Sequence, residues 1–552
     1  LDARTVQDYE FWSAKTSNRG MGTSYAKNAV DKYTMFTLEN MLFYDKTFND
    51  KHTLGVTLLQ SIQEDKRESV NVAMENLPAD NLKYYDLGSG LVTNTIGSAM
   101  VKWNMASFMG RINYNYLGRY LLTVSARYDG SSRLADGHKW VLFPSAALAW
   151  RINEESFMSS TSGWLDNLKL RLGFGKTGNS AVDPYQTKGT LSLIRYPFDN
   201  GGTPTIGYAP NAMANSLLTW ETTDQWNLGI DFGVLRGRIN GTIDLYMQNT
   251  HDLLLKRQLP VVSGFPDVLS NVGKTRNKGI EVSINSMNIN SKDFQWTTDL
   301  MLSSNKEEIV ELYNGKNDDI GSKWFIGQPV NVHYDYRKVG IWQNTESDLA
   351  EMAKFAANGT EFAPGDIKIQ DVNGDYKITD ADKQILGNPR PKLIASMVNT
   401  FNYKGFDLSV FLYASFGAML YNDIYAVEHC GRNGGVKVDY WTPNNPTNAY
   451  PRPSIDEERP IYITSTYYEK ADFLRVKTMT LGYTLPKTLT NKFLVEKLRV
   501  YFTAQNPFIF TNYTGIDPEA AKVNSAGNPE TNGSGFGTPS VSSWIFGINL
   551  TL

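Results

Sequence analysis

Apolar and polar side chains alternate with a period of two along much of this chain, in segments of about ten residues. The C-terminal segment is the cleanest. Trp544, Phe546, Ile548, Leu550 and Leu552 fall on one face, and Ser543, Gly547, Asn549 and Thr551 on the other, with Ile545 the exception. The same pattern sets Tyr120, Leu122, Val124, Ala126 and Tyr128 opposite Thr123, Ser125, Arg127 and Asp129. It recurs with Leu168, Leu170, Leu172 and Phe174 against Lys169 and Arg171. A further hairpin sets Trp226, Leu228, Ile230 and Phe232, then Ile239, Ile243, Leu245 and Met247, against Asn227, Asp231, Asn240, Asp244 and Gln248. The chain reads as all-β.

A soluble β-sandwich also alternates, but three features favour a transmembrane antiparallel β-barrel. The segments are long, the second face carries Arg, Lys and Asp beside Gly and Ser, and the connections alternate between short and long. Tight turns such as Tyr116-Leu117-Gly118-Arg119, Val234-Leu235-Arg236-Gly237 and Tyr403-Lys404-Gly405-Phe406 alternate with much longer stretches. Outer-membrane barrels place short turns on the periplasmic side and long loops outside. The segments count to about fifteen strands, the first near Lys32 to Phe48 and the last from Ser542 to Leu552. Residues 1–31 then form an external loop and residues 32–552 the barrel portion. On that count the first and last strands run the same way and cannot pair as antiparallel neighbours. The expectation is a C-terminal piece, with an odd number of strands ahead of Leu1.

Composition adjusts this picture only slightly. The chain has 552 residues, 12% of them aromatic, including 30 Tyr and 12 Trp, a content that suits interfacial girdles and sugar-stacking sites alike. A formal net charge of −3 gives no electrostatic reason to expect nucleic acid as a partner. Mean hydropathy is −0.36, and no apolar run is long enough to cross a bilayer as a helix. Strands escape that test, because only every second side chain meets lipid. Cys430 is the single cysteine, so no internal disulfide can form.

Several blocks resemble the SusC/RagA family of TonB-linked outer-membrane transporters. They are Leu168-Lys169-Leu170-Arg171 leading into Gly175-Lys176-Thr177-Gly178-Asn179, and Trp220-Glu221-Thr222-Thr223 followed by Asn227-Leu228-Gly229-Ile230-Asp231-Phe232. Then come Asn277-Lys278-Gly279-Ile280-Glu281-Val282, Gly340-Ile341-Trp342-Gln343 and Trp441-Thr442-Pro443-Asn444-Asn445-Pro446. The last are Leu474-Arg475-Val476-Lys477 with Leu481-Gly482-Tyr483, and Gly515-Ile516-Asp517-Pro518-Glu519. The resemblance implies a plugged barrel of about twenty-two strands, in the outer membrane of a Gram-negative bacterium of the Bacteroides type. It further implies an N-terminal plug and TonB-contacting segment, about seven strands ahead of this chain, and a SusD-like lipoprotein lid. Active import of oligosaccharides is the function it suggests. Import of oligopeptides is the alternative within the same architecture, and a barrel-based enzyme or adhesin is the alternative of another class.

Candidate chemistry is sparse. Asp371, Asn373, Asp375, Thr379 and Asp382 place oxygen ligands at positions 1, 3, 5, 9 and 12 of an EF-hand-like loop, with Lys377 offering its carbonyl at position 7. Tyr376 stands where such loops have Gly, and Asp382 reaches less far than the usual Glu. The loop is therefore a calcium candidate or an Asp/Asn-rich turn without an ion, and no cofactor is otherwise required. Substrate recognition by aromatic stacking and polar contacts is expected from Trp324, Tyr334, Asp335, Tyr336, Arg337 and Trp342, and then from Tyr421, Asn422, Tyr425 and Arg432. For any one of these residues, packing within the loops is the plainer role. None of the histidines His52, His138, His251, His333 and His429 is spaced from another as a metal ligand, and Glu428-His429-Cys430 reads as ordinary loop. No nucleophile elbow, phosphate loop or zinc cluster is present, so the chain does not read as an enzyme.

Overall fold

The computed structural model describes residues 1–16, 22–198, 205–422, 437–453, 460–493, 495–519 and 540–552. Among the described residues, sixteen strands join into one sheet whose neighbours follow chain order. They are β1 (Asp2–Trp12), β2 (Tyr25–Phe48), β3 (His52–Glu75), β4 (Val92–Tyr116), β5 (Tyr120–Ser131), β6 (Trp140–Arg151), β7 (Leu165–Asn179) and β8 (Glu221–Val234). β9 (Ile239–His251), β10 (Lys274–Asn290), β11 (Phe294–Glu311), β12 (Leu393–Tyr403), β13 (Phe406–Phe416), β14 (Phe473–Thr484), β15 (Lys497–Thr511) and β16 (Ser543–Thr551) complete it. The chain divides into two compact units, one of residues 1–150, 172–226 and 248–274, the other of residues 151–171, 227–247 and 275–552.

Two expectations need correcting. Among the described residues the large sheet has sixteen strands, not about fifteen, because residues 2–12 and 25–31 are strand rather than loop: Asp2–Trp12 pairs antiparallel with Tyr25–Met35. β2 accordingly starts at Tyr25 rather than near Lys32. β1 escapes the period-two test because its polar residues sit on both faces and bind across the ladder. Lys27 Nζ lies 2.6 Å from Asp8, and Arg4 stacks over the Tyr33 ring at 5.0 Å. The expectation of an odd number of strands ahead of Leu1 rested on the count of about fifteen, which β1 changes.

Turn chemistry sets the register at the tight end of the hairpins. Leu117 and Gly118 both have positive φ (54° and 71°), as do Asn49 with Asp50 and Lys404 with Gly405. Two consecutive left-handed residues make the two-residue turn whose twist matches that of paired strands. Not every connection on that side is short. Residues 152–164 form two 3-10 segments (Ile152–Glu154 and Ser156–Thr161), and residues 485–496 include a helical turn at Lys487–Thr490.

In the first unit the apolar side chains of β4–β6 lie on one exposed face. Leu122, Val124, Leu142 and Leu148 are all exposed on it. Aromatic rings bracket them. Tyr120 stacks with Tyr116 and Trp150 at one end, and Tyr128 and Phe108 with Trp140 at the other. Tyr120 to Tyr128 spans about 27 Å of strand, close to the height of the apolar band that outer-membrane barrels show to lipid. The opposite face is polar. Ser125 Oγ meets Ser145 Oγ at 2.6 Å, and Arg127 binds Asp129 and Ser107 at 2.8 Å each.

In the second unit the polar face holds charge clusters. Arg171 bonds Asp231 at 2.8 Å and Asp244 at 3.0 Å, while Lys169 meets Asp231 at 3.1 Å. A Cβ on Gly229 would lie 2.5 Å from the Arg171 guanidinium, so only glycine leaves room for that cluster. Arg499 pairs with Asp407 in the same way, beside Gly482. Deeper still, Arg475 and Asp517 form a nearly fully buried pair at 2.5 Å. On β16, Trp544, Phe546, Ile548 and Leu550 share one exposed face, Phe546 at 81% exposure, and Phe502 stacks with Trp544 at 5.6 Å.

Candidate functional site

The connections 312–392 and 417–472 of the second unit carry most of the residues expected to recognise substrate. They fold around two small cores. Ile341, Ile367, Ile369, Trp441, Ile463 and Tyr467 form one, and Trp342, Met352 and Phe355 the other. Short strands build the frame: His333–Tyr336 pairs with Lys383–Gly387, and Lys338–Ile341 with Ile367–Ile369. Helix α1 (Glu346–Ala357) starts at Thr345, whose hydroxyl accepts the Asp348 N–H at 3.3 Å. Its Met352 and Phe355 close the second core.

This frame consumes much of the expected site. Trp342 has no exposed surface; Phe355 and Phe362 pack on its ring, and Lys368 Nζ sits 4.0 Å over it. Asn422 is equally buried, its amide donating to Glu469 and Thr514. Both are packing residues, which corrects the expectation that they face cargo. Tyr334 packs on Phe325 at 4.8 Å, and Tyr421 packs edge-on against Tyr467 and Tyr468. Asp335 accepts the Tyr468 hydroxyl at 3.1 Å, and Arg337 donates to Gln384 at 3.0 Å. Trp324 is half-buried in a bridge with Asp319, whose N–H donates to its carbonyl at 2.8 Å. Tyr425 and Arg432, with His429 and Cys430, lie outside the described residues.

What these loops leave open is a cavity of about 290 Å³ beside Tyr462. Phe362, Ile461 and Tyr462 give it apolar faces, and Glu361, Asp366 and Arg452 give it charge. Arg452 Nε donates to Asp366 at 2.8 Å, which fixes the guanidinium at the wall. Tyr336 reaches this place through its ring, packed edge-on against Tyr462 at 5.0 Å. Phe362, Tyr462 and Arg452 carry no sequence motif that marks them for this cavity. The last two lie about a hundred residues from Phe362, and no local pattern announces the meeting.

Ionisation in the loops follows burial. The Tyr336 phenol is pushed up to about 12, by burial first and then by Asp380. Burial likewise raises Tyr468, with Asp335 adding to it. Both phenols therefore stay protonated and act as hydrogen-bond groups. Burial lowers His333, whose Nε2 meets the Met419 carbonyl at 2.8 Å. Burial also brings Lys338 down to about 8, with the Ala449 carbonyl accepting from its Nζ at 2.6 Å. These groups serve the loops' own hydrogen bonding and packing.

The Asp371 loop is compact and internally bonded. Asp371 accepts the N–H groups of Gly374 and Tyr376 at 2.7 and 2.8 Å, and Asn373 and Asp375 each accept the N–H two residues on. Asp382, wholly buried, accepts from Val372 and Thr379. Tyr376 takes the left-handed conformation (φ 58°) that glycine would adopt without strain. Among the described residues no three His, Cys, Asp or Glu side chains are grouped to hold a metal ion.

Comparison with known proteins places the chain in a family. The family model described as "TonB dependent receptor-like, beta-barrel" matches residues 2–507. The chain belongs to the TonB-dependent receptor β-barrel family. Its relatives include TonB-dependent receptor P3 of Formosa agariphila, 32% identical over 93% of this chain and 52% of that protein. TonB-dependent receptor SusC of Bacteroides thetaiotaomicron is 35% identical over 75% of this chain and 41% of its own length. The chain thus spans about half the length of the curated relatives it matches. Among solved structures, the RagAB peptide transporter superposes with a TM-score of 0.79 at 23% identity, covering 96% of this chain and 56% of that one, which shows a shared fold. A TonB-dependent receptor barrel belongs in the outer membrane, and the exposed apolar faces described above are its lipid surface. The family is one of receptors and transporters, not of enzymes.

Proposed function

We propose that this chain forms the barrel part of a TonB-dependent importer whose cargo is an oligosaccharide. The observation that carries the cargo class is the cavity beside Tyr462. Aromatic faces at Phe362 and Tyr462 suit the apolar faces of sugar rings, while Glu361, Asp366 and Arg452 offer acceptors and donors for hydroxyl groups. Its partners in this reading are a SusD-like lipoprotein lid, a plug segment and the inner-membrane TonB complex. Import of oligopeptides is the second reading, favoured by the fold likeness to the RagAB peptide transporter. Cells carrying the full-length protein would be offered labelled oligosaccharides and oligopeptides, with and without TonB. TonB-dependent uptake of sugar, reduced by Arg452→Ala, supports the first reading; uptake of peptide alone overturns it.

Calcium in the Asp371 loop belongs to the same proposal as a stiffener. The oxygens of Asp371, Asn373 and Asp375 keep lone pairs beyond the N–H groups they accept, and hard cations favour such donors. Against it stands the loop's internal satisfaction, which gives its carboxylates backbone partners already.

A further inference from the structure

The first unit holds a second cavity, of about 480 Å³, where the 132–139 connection meets β4 and residues 184–188. That volume is in the range of small-molecule pockets. Four cations line it, Lys102, Arg133, Lys139 and Lys188, together with Trp103, Tyr185 and one acid, Asp136. Lys139 is taken up by Asp136 at 2.5 Å and Lys102 by Glu64 at 2.8 Å. Arg133 differs. Its guanidinium lies 3.9 Å over the Trp103 ring, and its Nε is buried with no hydrogen-bond partner. Burial lowers its pKa, and Asp65 and Asp183 oppose that only through space. A half-buried guanidinium that lines a cavity and feels its acidic neighbours only through space is placed to pair with an anion entering that cavity.

The walls are fixed in place. The Asn104 N–H donates to Ser132 Oγ at 2.8 Å, the Ser132 N–H returns to the Asn104 carbonyl at 3.0 Å, and the Lys102 N–H donates to the Tyr185 hydroxyl at 3.1 Å. Below them Leu134, Phe143, Val182, Leu218 and Trp220 pack as a core. The cavity is preformed.

We propose that this cavity binds the anionic group of an acidic sugar, a uronate carboxylate or a sulfate ester, on an oligosaccharide cargo. Arg133 supplies the planar fork that matches two anionic oxygens. Lys188, exposed at the rim, adds a second charge. The Tyr185 ring gives the sugar an apolar surface. The proposal rests on the oligosaccharide-import reading and narrows it to acidic glycans.

The test is calorimetric titration of the purified full-length protein with trigalacturonate, a sulfated disaccharide, neutral maltotriose and triglutamate. Either acidic sugar should bind at least about tenfold more tightly than maltotriose, and Arg133→Gln should remove that advantage. Arg133→Lys should restore part of it, and Lys188→Gln, at an exposed side chain that cannot unfold the cavity, should weaken acidic sugars by about threefold. Unchanged affinity in both Arg133→Gln and Lys188→Gln overturns the proposal, as does triglutamate binding as tightly as the acidic sugars. Should the acidic sugars fail here while TonB-driven uptake of a neutral oligosaccharide persists, this proposal alone falls. Failure to take up any sugar overturns the reading beneath it.

Discussion

Aromatic residues do opposite work in the strand wall and in the long connections. On β5 and β6, Tyr120, Tyr128 and Trp140 stand exposed at the two ends of an apolar strip, with Val124 midway between them. In the 312–392 connection, Trp342 and Phe355 are withdrawn from solvent and packed on each other at 5.9 Å. The wall meets hydrocarbon and needs no covering, whereas the connections meet water and must bury their own cores. One chain therefore follows two solvent rules, divided where strands end and loops begin.

That comparison can be broken by substitution, and the largest effect is expected in the loops. Trp342→Ala should cost the connection about 3–5 kcal/mol, the range for truncating a buried Trp. Limited proteolysis should then cut within residues 312–392 while the barrel keeps its heat-modifiable gel mobility. Loss of both together would mean that wall and loop cores are not separate. Val124→Arg should destabilise the wall by about 2–4 kcal/mol, the cost of a cation at the bilayer midplane. Thr123→Arg, on the polar face, should cost far less, measured by urea unfolding in the same lipid.

The wall was the legible part, and the reason is periodicity. Where one face meets lipid and the other does not, alternation is enforced, as in Trp544 to Leu550. β1 was illegible because its polar residues fall on both faces and take partners one by one: Lys27 and the Tyr33 ring on β2 for Asp8 and Arg4, and Tyr9 and Trp12 on β1 itself for Gln7 and Glu10. Many of the blocks that carried the family resemblance turn out to be each other's partners. Arg171 in one meets Asp231 in another, Arg475 meets Asp517, and Trp441 Nε1 donates to Gln343 at 2.9 Å. The loop site was hardest to read. Whether an aromatic such as Trp342 faces cargo or a core depends on contacts with Phe355, Phe362 and Lys368 that no local pattern encodes.

Lys338 offers a subtler probe of the loop rule. Its folded pKa of about 8 lies below the ordinary 10.5, so the folded connection binds this proton less readily than the unfolded chain. Stability must then rise as pH climbs from about 8 towards 10.5, and stay at its lower level below that window. Protease resistance of the connection should increase over this range, and Lys338→Met should flatten the increase. The smallest effect is expected from calcium. Adding it should slow cleavage near the Asp371 loop a few-fold, and Asp371→Ala should abolish the change; identical cleavage in calcium and chelator would end that role.

The central claim, that β5 presents alternate side chains to lipid and to a polar interior, has a direct measurement. Single cysteines at positions 120–128, introduced with Cys430→Ser, would be spin-labelled in the full-length protein reconstituted in liposomes. Collision with oxygen, which partitions into hydrocarbon, should peak at positions 122, 124 and 126. Collision with a water-soluble nickel chelate should peak at 123, 125 and 127. Accessibility without alternation, or with the two sets exchanged, would contradict the account.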